Sequence, residues 1–248
     1  MKIALFIPTY NEAYTLDQIL TYYRANGVTE IFVFDNGSTD ETREIAMQHG
    51  AIMCETKTKD LDDRNYLHIK NHAWKAYRDD FDFIICCDAD EVLYHPDGLV
   101  QALTNAIWRD QASIIHPQGW NVYSELAPDL NDILKVSTGF PDPNFSKCVC
   151  FDPRRIEGMN YGWGAHSCNP TGDVKYSADQ YYLLHFRCLG GAQRMIDRHR
   201  EYAERMSAFN QANGYGFHYL RSEAEIQAEW ERNISRSEKA SFINISNQ

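Results

Sequence analysis

The 248-residue sequence predicts an α/β protein with a mostly parallel, Rossmann-like sheet and helices on both of its faces. Apolar runs of strand length alternate with segments of helical periodicity over the first 116 residues. The runs are continuous rather than alternating, as expected of strands covered on both sides. Several of them end in a polar cluster, and in sheets of this kind ligands bind beyond the carboxyl ends of the strands.

Ile3–Ile7 is the first such run, closed by Pro8, and Leu16, Ile19, Leu20 and Tyr23 then recur at helical spacing up to Gly27. Thr15 and Gln18 offer a capping box for that helix. Ile31–Phe34 is the second strand, and Ser38 with Glu41 suggests another capping box for a helix that ends near Gly50. Ala51–Cys54 is the third strand, followed by a helix over Asp62–Tyr77. Phe83–Cys87 is the fourth, then a helix over Pro96–Trp108 and a strand at Ile114–His116. Residues 117–180 read as an irregular, turn-rich and aromatic region, Tyr181–Phe186 as one more buried strand, and the chain from Gly191 as helical. The expected division is a domain over 1–188, with halves 1–116 and 117–188, and a helical extension over 189–248 packed on the same body.

Composition narrows the function. Hydrophobic residues make up 44% and aromatics 13%, enough for a real core. Against 24 basic residues stand 35 acidic ones, a formal charge of −11, which disfavours a nucleic-acid partner because phosphate backbones need a basic face. A small anionic ligand stays compatible, since a few local cations or a bound metal reverse the field in one cleft. The opening segment Met1–Pro8 is too short for a signal peptide, and no run approaches the ~18 apolar residues of a membrane span. The seven cysteines include the adjacent Cys86 and Cys87 and the alternating Cys148-Val149-Cys150, none in a metal-type pair. The expectation is buried, inert thiols in the reducing cytoplasm, with any membrane contact peripheral and through the C-terminal helices.

Asp88-Ala89-Asp90-Glu91, directly after Phe83–Cys87, is the sharpest feature. Carboxylates this close disfavour joint ionisation unless a cation lies between them, and a hard divalent ion with oxygen ligands answers that need. A solvated acidic turn is the plain alternative, at roughly even odds for an isolated D-x-D. Thr9-Tyr10-Asn11-Glu12 after the first strand and Asp35-Asn36-Gly37-Ser38 after the second should converge with it on one crevice. Ser38 and Asp40 read as turn and cap residues, whereas Asp35 reads as a fixed acceptor for a ligand.

Taken together, "PTYNE", "DNGSTD" and "DADE" in this order and spacing resemble the inverting, nucleotide-sugar-dependent glycosyltransferases of family 2, which have the GT-A fold. The resemblance is strong over residues 1–95 and looser over about 140–200. It implies a nucleotide-diphospho-sugar donor, UDP on family frequency, and a glycan, lipid-linked or protein-linked hydroxyl acceptor. It also implies that Thr9, Tyr10, Glu12, Asp35 and Arg64 hold the nucleoside, and that Asp88 and Ala89 lie at the ribose. Asp90, with Asp88 and with His185 of "LLHFR", would hold Mn²⁺ or Mg²⁺ on the diphosphate, and an imidazole in that set favours Mn²⁺. Lys147 is a further donor-site candidate, and Arg187, Arg194 and Arg198 are candidate diphosphate partners. Where relatives continue with Arg-Ser and a later Lys, this chain has Leu189-Gly190.

An inverting transfer also needs a general base. The family's usual Glu-Asp pair is missing between residues 110 and 180, leaving Glu125, Asp129, Asp132, Asp142, Asp152, Glu157 and His166, with Glu157 and His166 ahead. His166 fits equally a place in the acceptor pocket, a contact to the metal or a loop cap. Trp120, Tyr123, Tyr161 and Trp163 could stack on a sugar ring, although taken singly each reads better as a core anchor. Two other functions fit parts of the pattern. Four apolar residues before D-x-D also describe the haloacid-dehalogenase phosphatases, which however carry the motif on their first strand and need a downstream Asp pair. A catalytically inactive nucleotide-sugar-binding protein is the non-enzyme alternative.

Overall fold

The computed structural model describes residues 1–243. In chain order the elements begin with β1 (Ile3–Thr9), α1 (Ala13–Ala25), β2 (Glu30–Asp35), α2 (Thr42–Gln48), β3 (Ile52–Glu55), α3 (Asp63–His72) and β4 (Phe83–Cys86). They continue with β5 (Glu91–Tyr94), α4 (Leu99–Asn105), β6 (Ile114–Ile115), β7 (Gln118–Ser124), β8 (Thr138–Pro141), β9 (Cys150–Phe151), β10 (Ile156–Gly158) and β11 (Thr171–Gly172). The chain closes with β12 (Tyr182–Leu189), α5 (Gly191–Glu204), α6 (Ala208–Asn213), α7 (Glu223–Ser235) and β13 (Glu238–Lys239).

The first sheet has the order β3-β2-β1-β4-β9-β6, with β3, β2, β1 and β4 mutually parallel. Alternate residues of β1 feed two cores. Ile3, Leu5 and Ile7 meet Leu16, Ile19 and Tyr23 of α1, whereas Ala4 and Phe6 share a second core with Phe32, Ile69 of α3 and Trp74. Helices therefore cover both faces, as the unbroken apolar runs demand. The parallel part is shorter than the sequence suggests. Cys150–Phe151 inserts antiparallel between β4 and β6, so the strand at Ile114 is not the neighbour of the fourth strand.

The larger departure is a second, five-stranded sheet, β13-β8-β7-β12-β5, in which β7 and β8 come from the stretch that reads as irregular and β12 is the expected strand at Tyr181–Phe186. Trp120 and Tyr123 are buried in it, the Trp120 indole N–H donating to the Ser137 carbonyl at 3.2 Å. The C-terminal segment covers it through Met195, Ile196, Ile226 and Trp230, which pack on Tyr123 and Phe140. Among the described residues no helix is long and apolar enough to cross a membrane.

Helix starts also differ. Thr15 lies inside α1 with its hydroxyl unbonded, and Glu12 precedes the helix without a side-chain cap. Asp40 takes the capping role twice over, accepting from Thr42 N–H at 3.0 Å and Ala13 N–H at 3.1 Å. Ser38 serves a turn, its N–H on Asp35 and its hydroxyl accepting from Asn11 N–H at 3.0 Å. The Asp62–Tyr77 helix is found as α3, N-capped by Asp62, and a 3₁₀ extension over Ala73–Tyr77.

Candidate active site

Asp88-Ala89-Asp90 is the corner at which the chain leaves the first sheet and enters the second. β5 begins at Glu91 and pairs antiparallel with β12, in a register that sets Glu91 opposite His185. β12 also pairs parallel with β7, setting His185 opposite Asn121. Strand register alone thus brings a carboxylate corner, a histidine and an amide together from three distant stretches of sequence. The Asp90 carbonyl accepts from Phe186 N–H at 2.7 Å and fixes the corner.

The two aspartates differ sharply. One Asp88 oxygen receives the Tyr66 hydroxyl at 2.6 Å and the Lys70 ammonium at 2.7 Å. The other lies 2.9 Å from the Lys147 ammonium, which is also 2.6 Å from Glu91 Oε1. Glu91 Oε2 accepts the Asp88 N–H at 2.9 Å. Lys70, Lys147 and Glu91 are all fully buried. Two ammonium groups therefore neutralise two carboxylates. They hold Asp88 well below the usual carboxylate range against the opposing effect of burial, and both lysines are pushed up by Asp88 and Glu91. The expectation that close carboxylates here require a divalent cation fails for Asp88 and Glu91, because the compensating charge comes from α3 and from the segment before β9. Asp88 is thus paired within the protein, and Lys147 bridges it to Glu91. Ala89 is buried and contributes packing only.

Asp90 keeps its carboxylate for a partner outside this knot. Its Oδ2 lies 3.5 Å from His185 Nε2, and the imidazole and the nearby Arg187 hold it down at about 2 despite burial. His185 Nδ1 faces Asn121 Oδ1 at 3.1 Å. An amide oxygen can only accept, so Nδ1 donates to Asn121 and Nε2 is the ring atom that faces Asp90. Phe145 stacks on the ring at 4.0 Å and fixes its plane. Two donors at this separation suit neighbouring positions on one cation, whose bonds are ~2.1–2.2 Å. The orienting amide is the second-shell arrangement that metal-binding histidines need. Among the described residues no three His, Cys, Asp or Glu side chains gather as a complete protein cage, so Asp90 and His185 offer two ligands and leave the rest to other oxygens.

Around this pair stands a cationic wall from the C-terminal segment. Arg187 lies over the rings of Tyr202 and Tyr219 at 4.8 and 5.1 Å. Arg198 pairs with Glu12 at 2.5 Å and with Glu201 at 2.6 Å, and the Tyr202 hydroxyl also donates to Glu12. Burial nevertheless pushes Glu12 up. Arg205 lies 3.1 Å above the Tyr10 ring and donates to the Asn36 carbonyl at 3.0 Å. Arg194 is turned elsewhere, over Tyr14 and onto the carbonyls of Arg187 and Leu189. Three polar atoms of this region are buried without a partner in the protein: Thr9 Oγ1, Arg187 Nη2 and Arg205 Nη1.

Other sequence candidates fall outside this constellation or carry different bonds. Asp35 sits at the end of β2 as expected, but Arg43 holds one oxygen at 2.6 Å and Ser38 N–H the other at 3.0 Å, which together draw it down against burial. Arg64 grips Asp62 with two nitrogens and stacks over Phe209 at 4.1 Å. Glu157 is exposed on β10, and its carbonyl receives Arg78, which precedes β4 and so lies at the opposite end of that strand from Asp90. His166 is closer: its Nδ1 bonds the Asn144 carbonyl at 2.8 Å, and its ring meets Phe145 edge-on at 5.8 Å. Phe145 thus separates His166 from His185. Tyr161 is buried with its hydroxyl on the Cys148 carbonyl at 2.7 Å, whereas Trp163 is 47% exposed and stacks on Tyr215. Asn121, Phe145, Lys70 and Tyr66 escape sequence reading, since nothing marks a strand at Gln118 or a lysine turned inward on α3.

The family model "Glycosyl transferase family 2" matches residues 4–147. A Haloferax volcanii protein named glycosyltransferase AglJ is 45% identical over 49 residues, 20% of this chain and 16% of that protein. Protein RfbJ of Shigella flexneri is 42% identical over 53 residues, 21% of this chain and 41% of that protein. The matches therefore span well under half of either relative. Among solved structures, S. aureus TarS 1–349 overlaps 93% of this chain and 71% of its own, at 13% identity and a TM-score of 0.47. The match to the family model covers more than half of the sequence, and this chain belongs to glycosyl transferase family 2.

Proposed function

We propose that the protein transfers a sugar from a nucleotide-diphosphate donor, UDP-linked by preference, to a hydroxyl acceptor with inversion at the sugar carbon. The observation that carries this reading is the set of partnerless polar atoms. Thr9 Oγ1, Arg187 Nη2 and Arg205 Nη1 belong to residues lining the polar end of the first sheet, beside Asp90, Glu12 and Tyr10. Buried polar atoms are rarely left unpaired, and a phosphate-bearing ligand would satisfy all three.

Arg187 and Arg198 would meet the diphosphate, and the strand-end segment Thr9–Glu12 would meet the nucleoside. Asp90 and His185 would hold Mn²⁺ or Mg²⁺ there, which when bound neutralises the departing diphosphate. The Asn121 bond to Nδ1 keeps His185 Nε2 turned toward that position. His166, with Nδ1 committed to Asn144, offers Nε2 to take the proton of the acceptor hydroxyl. Burial and the Lys147 ammonium pull it below its usual value, which favours the neutral ring that can accept a proton. The acceptor belongs to the glycans, lipid-linked or protein-linked.

Family membership displaces the phosphatase alternative, and Asp88, locked between two lysines and a tyrosine, is no free nucleophile. Thermal-shift titration with UDP, GDP and dTDP, each with and without Mn²⁺, tests the reading. One nucleotide should raise the melting temperature and do so further with Mn²⁺; no shift with any of them defeats it. The inactive-binder alternative predicts the same shift with no sugar release in any acceptor mixture.

A further inference from the structure

Cys148 and Cys168 depart from the expectation of isolated, inert thiols. Cys148 lies just before β9 and is buried, while Cys168 is half-buried on the loop after the 3₁₀ turn Trp163–Ala165. Both line one cleft of about 240 Å³, together with His116, Lys147, His166 and Tyr176. Each thiol acts on the other, Cys168 pushing Cys148 up and Cys148 drawing Cys168 down. The loop holds both partners in place: Tyr161 donates its hydroxyl to the Cys148 carbonyl at 2.7 Å, and Asn169 N–H reaches the Met159 carbonyl at 3.1 Å, closing the loop beside Cys168.

We propose that Cys148 and Cys168 form a reversible two-electron redox site, a dithiol that a small disulfide such as oxidised glutathione converts to an intramolecular disulfide in the wall of this cleft. Cys168 is the attacking group. It is the more accessible of the two, and the neighbouring Cys148 draws its thiol below the usual value, which favours the thiolate. The Cys168 thiolate attacks one sulfur of oxidised glutathione and expels glutathione thiolate, leaving a mixed disulfide. Cys148 then loses its proton, attacks Cys168 Sγ and expels the second glutathione. Two protein thiols are oxidised by two electrons, one glutathione disulfide is reduced to two thiols, and the two protein protons end on them. The bond shortens the sulfur separation to ~2.05 Å and draws the His166 loop toward the Lys147 segment.

Peptide mapping by mass spectrometry, after equilibrating the whole protein in mixtures of reduced and oxidised glutathione and blocking free thiols, reads this directly. The expected result is a peptide pair joined through Cys148 and Cys168, lighter by two hydrogens and restored by dithiothreitol, with half-buried Cys54 still free at the same poise. Cys168→Ser should abolish the joined pair and leave Cys148 as a thiol. Glutathione capping Cys168 without the internal bond, or Cys54 oxidising first with no joined pair, overturns the proposal. The wild-type map alone decides it, so the result does not depend on any variant folding.

Discussion

The Lys147 ammonium lies 2.9 Å from the Asp88 carboxylate, and the lysine side chain is almost wholly withdrawn from water. Lys70 reaches the same carboxylate from α3 at 2.7 Å. The first aspartate of the D-x-D pair is thus a structural ion-pair partner, while the second, two residues on, faces the cleft with His185. One motif thus splits into a half tied into the fold and a half that, under the proposed function, meets the ligand.

Removing Lys147 should therefore cost stability before it costs chemistry. Lys147→Met strands Glu91 and half of Asp88, and breaking one side of a buried pair typically costs ~3–5 kcal/mol. Urea unfolding of Lys147→Met and of Lys147→Met/Glu91→Gln should show the double variant recovering part of the loss. An unchanged midpoint in the single variant would contradict the bridging role.

His166 and Glu157 should separate cleanly. His166→Asn is expected to lower the transfer rate by ~100-fold or more while leaving UDP–Mn²⁺ affinity intact, as loss of a general base does. Glu157→Gln should leave both within about twofold, since Glu157 is exposed on β10 and its carbonyl faces Arg78. Steady-state rates and titration calorimetry on both variants check this.

Acid should loosen the C-terminal cover through His199. The ring is buried, Nδ1 donates to the Met195 carbonyl at 2.8 Å, and Nε2 accepts from Arg221. Burial, with Arg187 and Arg221 nearby, lowers it to about 4, so the unfolded chain binds this proton more readily than the folded one. Stability from this group is complete above pH ~6.5 and falls as the pH drops toward about 4, by a few kcal/mol in total. Melting curves between pH 4 and 7 should show that slope, and His199→Gln should flatten it.

How far the sequence carries can be read from particular residues. β1, β2 and β4 are unbroken apolar runs, and a sheet covered on both faces follows from that pattern, as does the meeting of Thr9, Asp35 and Asp90 at one end. His185 was legible for the same reason, as a polar residue within a buried strand. Lys70 was hidden, because a lysine on an amphipathic helix reads as solvent-facing and only tertiary packing turns it inward. Asn121 was hidden too, since β7 mixes Gly, Trp, Asn and Ser and owes its pairing to β12 and β8 rather than to its own periodicity. Asp88, Asp90 and Glu91 read as a cation site because Lys70 and Lys147, which pair with two of them, come from distant stretches of sequence.

Titration calorimetry of UDP binding, with and without Mn²⁺, on the wild type and Asp90→Ala meets the central claim most directly. The division between the two aspartates predicts that Mn²⁺ tightens UDP binding in the wild type and that Asp90→Ala loses this gain. Mn²⁺-dependent affinity that survives in Asp90→Ala would contradict it.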